Sequence, residues 1–184
     1  MKVTELGIRG VKVLEPKYFE DYRGYYCETY SARTLKELGI ETVFVQDNHI
    51  FSKKKGTIRG IHFQNNPKAQ AKLCRCTRGA VMDVAIDLRK GSKSFKKWIA
   101  VELSAENKRQ LFIPAGFGHG VLSLVDNCEF QYKVDNFYEP SLDRAIKWND
   151  PEIDVNWGVT KPVISPKDMD APLLKNSDVN FVWE

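Results

Sequence analysis

The sequence predicts an all-β protein, a jelly-roll sandwich or barrel with a few short peripheral helices. Three observations support this: many short β-rich runs, turn signals between them, and a single early helix pattern. The runs cover residues 11–14, 25–30, 43–51, 57–64, 71–77, 80–87, 98–103, 109–113, 120–124 and 128–134. Many short antiparallel strands at this spacing are typical of sandwiches and barrels.

Turn-forming residues separate these runs. Arg78-Gly79 and Asp126-Asn127 are candidates for tight turns, and Pro114-Ala115-Gly116 is a sharper break before a histidine segment. Beyond residue 134 the pattern loosens into polar and aromatic loops that include Ser165-Pro166-Lys167-Asp168. Long ordered loops at the mouth of a rigid β scaffold often carry binding and catalytic residues, so we expect functional side chains there.

The one predicted helix lies near the N-terminus, over residues 32–38. Ser31 can cap its first turn, and Gly39 supplies a C-terminal stop. Leu35 and Leu38 are three residues apart and therefore share one face of the helix. We expect this helix to lie at the periphery of the β body.

Length and composition predict one globular domain over residues 1–184. The chain is 42% hydrophobic, and no linker divides it. It shows neither an apolar run of signal-peptide length nor the roughly 20 apolar residues of a membrane span, so a cytoplasmic protein without a membrane partner is expected. A net charge of +4 falls short of a nucleic-acid footprint and favours a small anionic ligand.

Four cysteines, Cys27, Cys74, Cys76 and Cys128, lack the Cys-x-x-Cys spacing of zinc or redox sites. We therefore predict free, mostly buried thiols. Cys74 and Cys76 share one face of a strand, where packing as small apolar residues is favoured over a metal role.

Two of the three histidines fall in glycine-punctuated β segments. His62 lies in an apolar run after Gly60, which directs its imidazole into a walled cavity where neighbours can tune its pKa. His119 ends a Pro-x-Gly-x-x-His pattern similar to the second motif of metal-binding cupins, but the first motif, His-x-His followed by Glu, is missing. Two imidazoles without carboxylates or thiolates beside them are too few for a transition metal, so no metal site is predicted.

A purely structural role for both histidines is the main alternative. The surroundings favour chemistry, because Arg59 and Lys72 lie within a dozen residues of His62 and a dry core would not tolerate unpaired polar groups. The same β-rich body supplies three further polar side chains, those of Gln46, Asn48 and Tyr132. In an ideal strand Arg59 and His62 face opposite sides, and a β-bulge at Gly60 would resolve this conflict.

Segments along nearly the whole chain agree in order and spacing with one family. They cover residues 19–28, 44–48, 58–64, 70–73, 79–89, 103–110, 113–120, 132–133 and 165–168. Together they resemble the dTDP-4-dehydrorhamnose 3,5-epimerase family of metal-free cupin enzymes. The resemblance implies a cupin-type double-stranded β-helix.

The resemblance also implies an activity. It is epimerisation at C3 and C5 of dTDP-4-dehydro-6-deoxy-D-glucose to dTDP-4-dehydro-L-rhamnose, through an enolate and without a cofactor. By similarity, His62 abstracts the proton and Asp168 orients its ring. Lys72 would stabilise the charge on the C4 oxygen, and Tyr132 would return a proton from the opposite face of the sugar.

Binding roles and a partner follow from the same resemblance. The groups around the diphosphate and sugar are Arg23, Arg59 and Lys167, and their hydrogen-bonding companions are Glu28, Gln46, Asn48, Asp143 and His119. Tyr138 looks placed to stack on the thymine. In the family the segment with Arg23 and Glu28 contributes to the active site of the neighbouring subunit. The resemblance therefore implies a homodimer with strand exchange.

Three positions, in two segments, depart from the family pattern. Asp143 stands where a glutamate is usual, and Gly118 and Val121 stand where alanine and phenylalanine are more usual, which would slightly enlarge the space near His119. Other readings are a relative that epimerises one carbon or moves the ketone between C3 and C4, a catalytically silent sugar-nucleotide-binding cupin, and a metal-dependent cupin oxygenase. The acid and base residues argue against the silent protein, and the incomplete ligand set argues against the oxygenase.

Overall fold

A computed structural model describes residues 1–183, which are built mainly from short antiparallel strands. The strands of this part of the chain are β1 (Lys2–Glu5), β2 (Lys12–Glu15), β3 (Tyr18–Asp21), β4 (Gly24–Cys27), β5 (Gln46–Ser52), β6 (Ile58–Gln64), β7 (Lys72–Arg78), β8 (Ala80–Asp87), β9 (Trp98–Ser104), β10 (Gln110–Ile113), β11 (Phe117–Ser123), β12 (Cys128–Val134) and β13 (Asp143–Ala145). Two short helices, α1 (Ala32–Glu37) and α2 (Pro166–Met169), and a 3₁₀ turn at Leu174–Asn176 accompany them.

The strands form two sheets and a separate hairpin. The larger sheet has the order β1-β2-β10-β7-β12-β5, and the smaller has the order β13-β6-β11-β8-β9. Strands β3 and β4 pair with each other in a two-stranded sheet of their own. Neighbouring strands are antiparallel throughout these sheets. The predicted all-β architecture is confirmed.

Three hydrophobic clusters separate the layers. Inward side chains of both sheets, such as Leu103 and Leu111, form the cluster between the sheets. The C-terminal segment covers the outer face of the smaller sheet through Trp157 and Phe181. Helix α1 covers the outer face of the larger sheet, where Leu35 is fully buried. Both sheets are therefore covered on the outside, as alternating side chains require.

The predicted runs match the observed strands, with shifts at their ends. Runs 80–87 and 128–134 coincide with β8 and β12. The run predicted over 25–30 stops at Cys27, because the chain then leaves the hairpin and the Thr29 carbonyl accepts a hydrogen bond from the Gln110 side chain (3.0 Å). The run predicted from residue 43 begins its ladder only at Gln46. Strands β1, β3 and β13 were not predicted.

Strand β11 begins earlier than predicted, at Phe117 instead of residue 120. Its glycines belong to the ladder because neighbouring side chains need their space. A Cβ on Gly118 would lie 2.6 Å from Ile61 Cγ2, and one on Gly120 would lie 2.7 Å from Trp157 Cη2. The expectation that Gly118 enlarges the space near His119 is therefore wrong at this position, since Ile61 fills it.

The predicted helix is confirmed as α1, and a second one was missed. The Ser31 hydroxyl accepts a hydrogen bond from Thr34 N (3.3 Å), and Gly39 has a φ of +74°. The missed helix α2 has the matching start signal, because Ser165 caps it and Pro166 occupies its first turn. Because α2 has only four residues, the sequence pattern there indicated a loop.

The cysteine prediction is confirmed, since all four thiols are free and Cys74, Cys76 and Cys128 are buried. Cys74 and Cys76 both belong to the cluster between the sheets. Among residues 1–183, no helix has the length and apolar character needed to cross a membrane.

Candidate active site between the two sheets

The two histidines lie side by side on neighbouring strands of the smaller sheet. His62 on β6 is the ladder partner of His119 on β11, and the register then shifts by one residue at Gly60. Gly60 has a φ of +134°, and a Cβ there would lie 2.6 Å from Gly120 Cα and 2.8 Å from His119 O. Only glycine fits such an approach of two backbones. The predicted bulge is confirmed.

The bulge leaves Arg59 facing strand β5 of the larger sheet. Its Nε donates a hydrogen bond to Ser52 Oγ (3.2 Å), and its Nη2 donates to the Phe51 carbonyl (3.1 Å). Burial raises the pKa of Tyr132, and the guanidinium charge of Arg59 opposes that rise. Arg59 therefore shares the surroundings of Tyr132.

His62 is held by a carboxylate from the C-terminal part of the chain. Its Nε2 lies 2.7 Å from Asp168 Oδ1, and Gly60 N donates a longer bond of 3.4 Å to Asp168 Oδ2. Burial by itself raises the pKa of the Asp168 carboxyl, but the hydrogen bond and charge of His62 outweigh it, so that pKa is lowered. The His62 side chain is 37% exposed while that of Asp168 is 4% exposed. One end of the pair is fixed, and the other is open to a ligand.

Lys72 begins β7 on the opposite sheet and is buried. Its Nζ lies 5.9 Å from the centre of the Tyr132 ring and 3.4 Å from Gln70 Oε1. Burial lowers the pKa of the Lys72 ammonium, against the opposing attraction of acidic groups that include Asp135 and Asp83. A cation with few fixed partners is suited to meet negative charge on a ligand.

Tyr132 lies on β12 of the larger sheet, 6.2 Å between ring centres from His119. Burial raises the pKa of its hydroxyl, and the charge of Asp143 raises it further. The phenol therefore stays protonated at neutral pH. It belongs to the sheet opposite His62, so the two groups approach the interior from different sides.

A second imidazole–carboxylate pair lies deeper between the sheets. His119 Nε2 is hydrogen bonded to Asp83 Oδ1, and Cys74 Sγ lies 3.8 Å from the same nitrogen. The His119 side chain is 8% exposed, and that of Asp83 is fully buried. Within residues 1–183, Asp83 Oδ2 has no hydrogen-bond partner. Burial raises the pKa of the Cys74 thiol well above its usual value, and Asp83 raises it further.

Tyr138, Asp143 and Lys167 form a polar cluster beside Gln64, the ladder partner of Asp143. Asp143 Oδ2 accepts hydrogen bonds from Lys167 Nζ (2.7 Å) and from the Tyr138 hydroxyl (3.3 Å). The bond to Asp143 raises the pKa of Lys167. The shorter side chain at 143 thus still reaches both neighbours, and the Tyr138 ring remains 54% exposed.

Gln46 and Asn48 continue the polar lining along β5. Gln46 Nε2 donates to Asn48 Oδ1 (3.0 Å), and Gln46 Oε1 accepts from Tyr138 N (3.0 Å). Asn48 is the ladder partner of Tyr132. These contacts connect the larger sheet to the Tyr138 cluster.

Arg23 and Glu28 do not join this group within one chain. Arg23 pairs with Asp21 at 2.6 Å in the β3–β4 hairpin. Glu28 accepts a hydrogen bond from the Thr34 hydroxyl of α1 (3.0 Å), and α1 covers the outside of the larger sheet. Both side chains are exposed.

Sequence reasoning missed Asp83 and Cys74 as members of the site. Asp83 had a signal, because it is a carboxylate within an apolar run where alternation turns it inward with Val81 and Ala85. Its contact with His119 joins residues 36 positions apart, and neither segment by itself predicts it.

Chemically, the arrangement combines a base that is fixed at one end, a buried ammonium and a protonated phenol on the facing sheet. Such groups can remove a proton next to a carbonyl, stabilise the oxyanion and return a proton from the other side.

Comparison with known proteins agrees with this chemistry. A family model described as dTDP-4-dehydrorhamnose 3,5-epimerase matches residues 5–176. The chain is 50% identical over 176 residues to the dTDP-4-dehydrorhamnose 3,5-epimerase of Salmonella typhimurium, covering 95% of this chain and 96% of that protein.

Two solved structures are similar over nearly the whole chain. The dTDP-4-dehydrorhamnose 3,5-epimerase of Bacillus anthracis, with TDP and PPi bound, is 48% identical with a TM-score of 0.91, covering 94% of this chain and 99% of its own. The dTDP-6-deoxy-D-glucose-3,5-epimerase of Legionella pneumophila, in complex with dTDP-4-keto-L-rhamnose, is 39% identical with a TM-score of 0.94, covering 100% and 98%. The cupin-type fold is thereby confirmed.

Proposed function

Because the chain belongs to the dTDP-4-dehydrorhamnose 3,5-epimerase family, we propose a mechanism in which His62 and Tyr132 act on opposite faces of one sugar. The chain is an isomerase that inverts C3 and C5 of dTDP-4-dehydro-6-deoxy-D-glucose and yields dTDP-4-dehydro-L-rhamnose. Both carbons are α to the C4 ketone, so each inversion removes a proton, forms an enolate and returns a proton to the other face. The observation that carries the mechanism is the 2.7 Å contact between His62 and Asp168. His62 lies on the sheet that faces the sheet of Tyr132.

His62 is the proposed base. An ionised Asp168 carboxylate can only accept a hydrogen bond, so His62 donates from Nε2 and its Nδ1 keeps the lone pair. Nδ1 then takes the proton from C3 or C5. The resulting imidazolium is stabilised by the same carboxylate, whose lowered pKa keeps it charged.

Lys72 is the proposed partner of the C4 oxygen. Its ammonium is buried, so little water screens its field. The oxygen carries more negative charge in the enolate than in the ketone, and a fixed cation therefore stabilises the transition state more than the ground state. No cofactor is needed for this step.

Tyr132 is the proposed acid. Its raised pKa keeps the phenol protonated, and its sheet faces the sheet of His62. Proton removal at one face and delivery at the other produces inversion, whereas a single group would return the proton to the side it came from. Positioned acid–base groups typically contribute about 10²–10⁴ in rate.

The nucleotide and sugar are proposed to bind along the polar groups around the base. Arg59 and Lys167 suit the diphosphate oxygens. The half-exposed Tyr138 ring suits stacking on the thymine, and its hydroxyl contact with Asp143 holds it in place. The remaining proposed hydrogen-bonding groups are Gln46, Asn48 and His119.

A homodimer with strand exchange is part of the proposal. The β3–β4 hairpin exposes four large aromatic side chains, those of Phe19, Tyr22, Tyr25 and Tyr26. Such an apolar projection is unfavourable in water unless another surface covers it. We propose a second copy of the chain as that surface, with Arg23 and Glu28 delivered to the partner's site.

A cytoplasmic location is also proposed. All four cysteines are free, which suits a reducing compartment. Fractionation of cells that make the protein should recover it with the cytoplasmic enzymes, and recovery from the periplasm or culture medium would contradict this location.

Turnover in deuterated water tests the activity and the positions at which protons exchange. The expected product carries deuterium at both C3 and C5, because each enolate is reprotonated from a group in exchange with solvent. Deuterium at one carbon, or a 3-keto product, would instead indicate the single-carbon epimerase or the ketoisomerase. An authentic substrate without any exchange would overturn the proposed mechanism.

Complementation tests the strand exchange. Co-expressed Arg23→Ala and His62→Asn chains should form hybrid dimers in which one site has an intact body and an intact arm from the other chain. Activity should then exceed the sum of the two separate variants. If Arg23 acts within its own chain, the hybrids gain nothing, and the exchange is refuted.

A further inference from the structure

We propose that Cys74, Asp83 and His119 form a site for a thiophilic divalent cation such as Zn²⁺, and that the bound cation inhibits the enzyme. Cys74 comes from β7 of the larger sheet, while Asp83 and His119 come from β8 and β11 of the smaller one. One ligand atom from each residue lies within 4.8 Å of the other two. All three residues are buried.

The donor set is that of a tetrahedral zinc site, and the three donors lie within side-chain movements of the required spacing. Thiolate sulfur, imidazole nitrogen and carboxylate oxygen are the donors that Zn²⁺ takes in proteins. Bond lengths of about 2.0–2.3 Å place such donors about 3.3–3.6 Å from one another around the ion. Cys74 Sγ is 3.8 Å from His119 Nε2, close to this separation. His119 Nε2 and Asp83 Oδ1 are hydrogen bonded to each other, so these two donors would move apart as the ion replaces the bond.

An unpaired oxygen gives the second, independent observation. Asp83 is fully buried, and its Oδ2 has no hydrogen-bond partner in the described chain. A buried carboxylate oxygen without a partner is unfavourable, because it has lost water and gained nothing. A cation between the three side chains would satisfy it.

The charges balance when the cation binds. The Cys74 thiol proton leaves to solvent, and its sulfur donates an electron pair to the cation. The His119 proton moves from Nε2 to Nδ1, so the imidazole stays neutral while Nε2 coordinates. One thiolate and one carboxylate then offset the two positive charges.

The inhibitory role is argued from His119, which belongs to both the cluster and the proposed substrate site, and it rests on the proposed function. Binding of the cation does not rest on that function. The cation would engage Nε2 of His119, a proposed substrate contact, and would hold its imidazole away from the substrate.

Cobalt(II) provides the probe, because a cysteine thiolate bound to it gives a near-ultraviolet charge-transfer band. Metal-free wild-type protein titrated with Co²⁺ should show this band at one ion per chain, and Zn²⁺ should displace it. Cys74→Val should lower the affinity at least about 10²-fold. Cys76→Val is the matched control, since Cys76 is buried in the same strand and cluster but lies outside the triad. Cys74→Ser is a second, polar variant for the case that valine disturbs packing.

The outcomes separate binding from inhibition. A band that survives in Cys74→Val, or no band in the folded wild type, would overturn the site. If the band forms normally, Zn²⁺ should inhibit turnover in the wild type and in Cys76→Val, and a chelator should restore the activity of both. A bound ion without inhibition would overturn the inhibitory role while leaving the site, and an inactive metal-free protein with a normal band would count against the proposed function instead.

Discussion

The His62–Asp168 and His119–Asp83 pairs join the same kinds of side chain at one rung of the β6–β11 ladder, but their carboxylates arrive differently. Asp83 comes from the adjacent strand β8, where its ladder partner is Val121, two residues from His119. Asp168 comes from α2, 106 residues away from His62. The His119–Asp83 pair is therefore a diagonal pair within one sheet, whereas the His62–Asp168 pair depends on a loop that returns to the sheet.

The difference shows what suits an imidazole for proton transfer. Asp168 is bonded through both oxygens and grips one edge of a ring whose other edge is accessible. Asp83 uses one oxygen on a ring that is almost enclosed, and its other oxygen has no hydrogen-bond partner among residues 1–183. The open pair is suited to move protons, while the closed pair is suited to hold a ligand atom or an ion.

The largest expected effect distinguishes the two rings by kinetics. His62→Asn should lower kcat by about 10²–10⁴, because the base is lost, while dTDP binding measured by calorimetry changes little. His119→Asn should act mainly on KM, by about threefold to tenfold, the value of one hydrogen bond. Equal losses of kcat in the two variants would remove the distinction between the pairs.

A glycine replacement should disturb both pairs at once. Gly60→Ala forces a Cβ into the backbone of the neighbouring strand at a φ unfavourable for alanine, and should lower the free energy of unfolding by about 3 kcal/mol or more. Gly7→Ala is the control, since nothing lies within 4 Å of a Cβ there, and its cost should stay within about 0.5 kcal/mol. Urea denaturation of both variants decides, and a tolerated Gly60→Ala would show that the strand approach is not needed.

The pH dependence of stability should identify the charged carboxylate. Asp168→Asn should cost about 1.5–3 kcal/mol at pH 7, where the wild-type carboxylate is ionised and bonded. Because the folded pKa of Asp168 is lowered, its contribution is present above the unfolded value near 4 and is lost as pH falls through the lower folded value. Denaturant titrations should therefore show the two proteins converging as the pH falls below the unfolded value of about 4. A constant difference would mean that the charge is not what stabilises the pair.

The smallest effect concerns the wall behind the rings. Gly118→Ala should cost about 1–3 kcal/mol, because the new Cβ meets Ile61 Cγ2. Ile61→Leu removes that methyl branch, so the double variant should recover part of the loss. Thermal unfolding of the single and double variants gives the coupling, and strictly additive costs would show that the two positions do not share this space.

Much of the fold followed from local patterns. Strands β8 and β12 were predicted with their observed bounds because alternation and flanking turns act within a few residues. The four-residue helix α2 escaped notice, since one turn leaves no periodicity to detect. The contact between Asp168 and His62 was expected by resemblance to a family, and no spacing in the sequence would have paired them.

By itself, the sequence determined the antiparallel strands, the cap of α1 and the need for glycine at residue 60, because these depend on backbone preferences and side-chain alternation. The tertiary structure decided which side chains meet: Cys74 and Asp83 beside His119, and Ile61 in the space of a missing Cβ at Gly118. Such contacts depend on the register and packing of strands far apart in the chain, and no local preference encodes either.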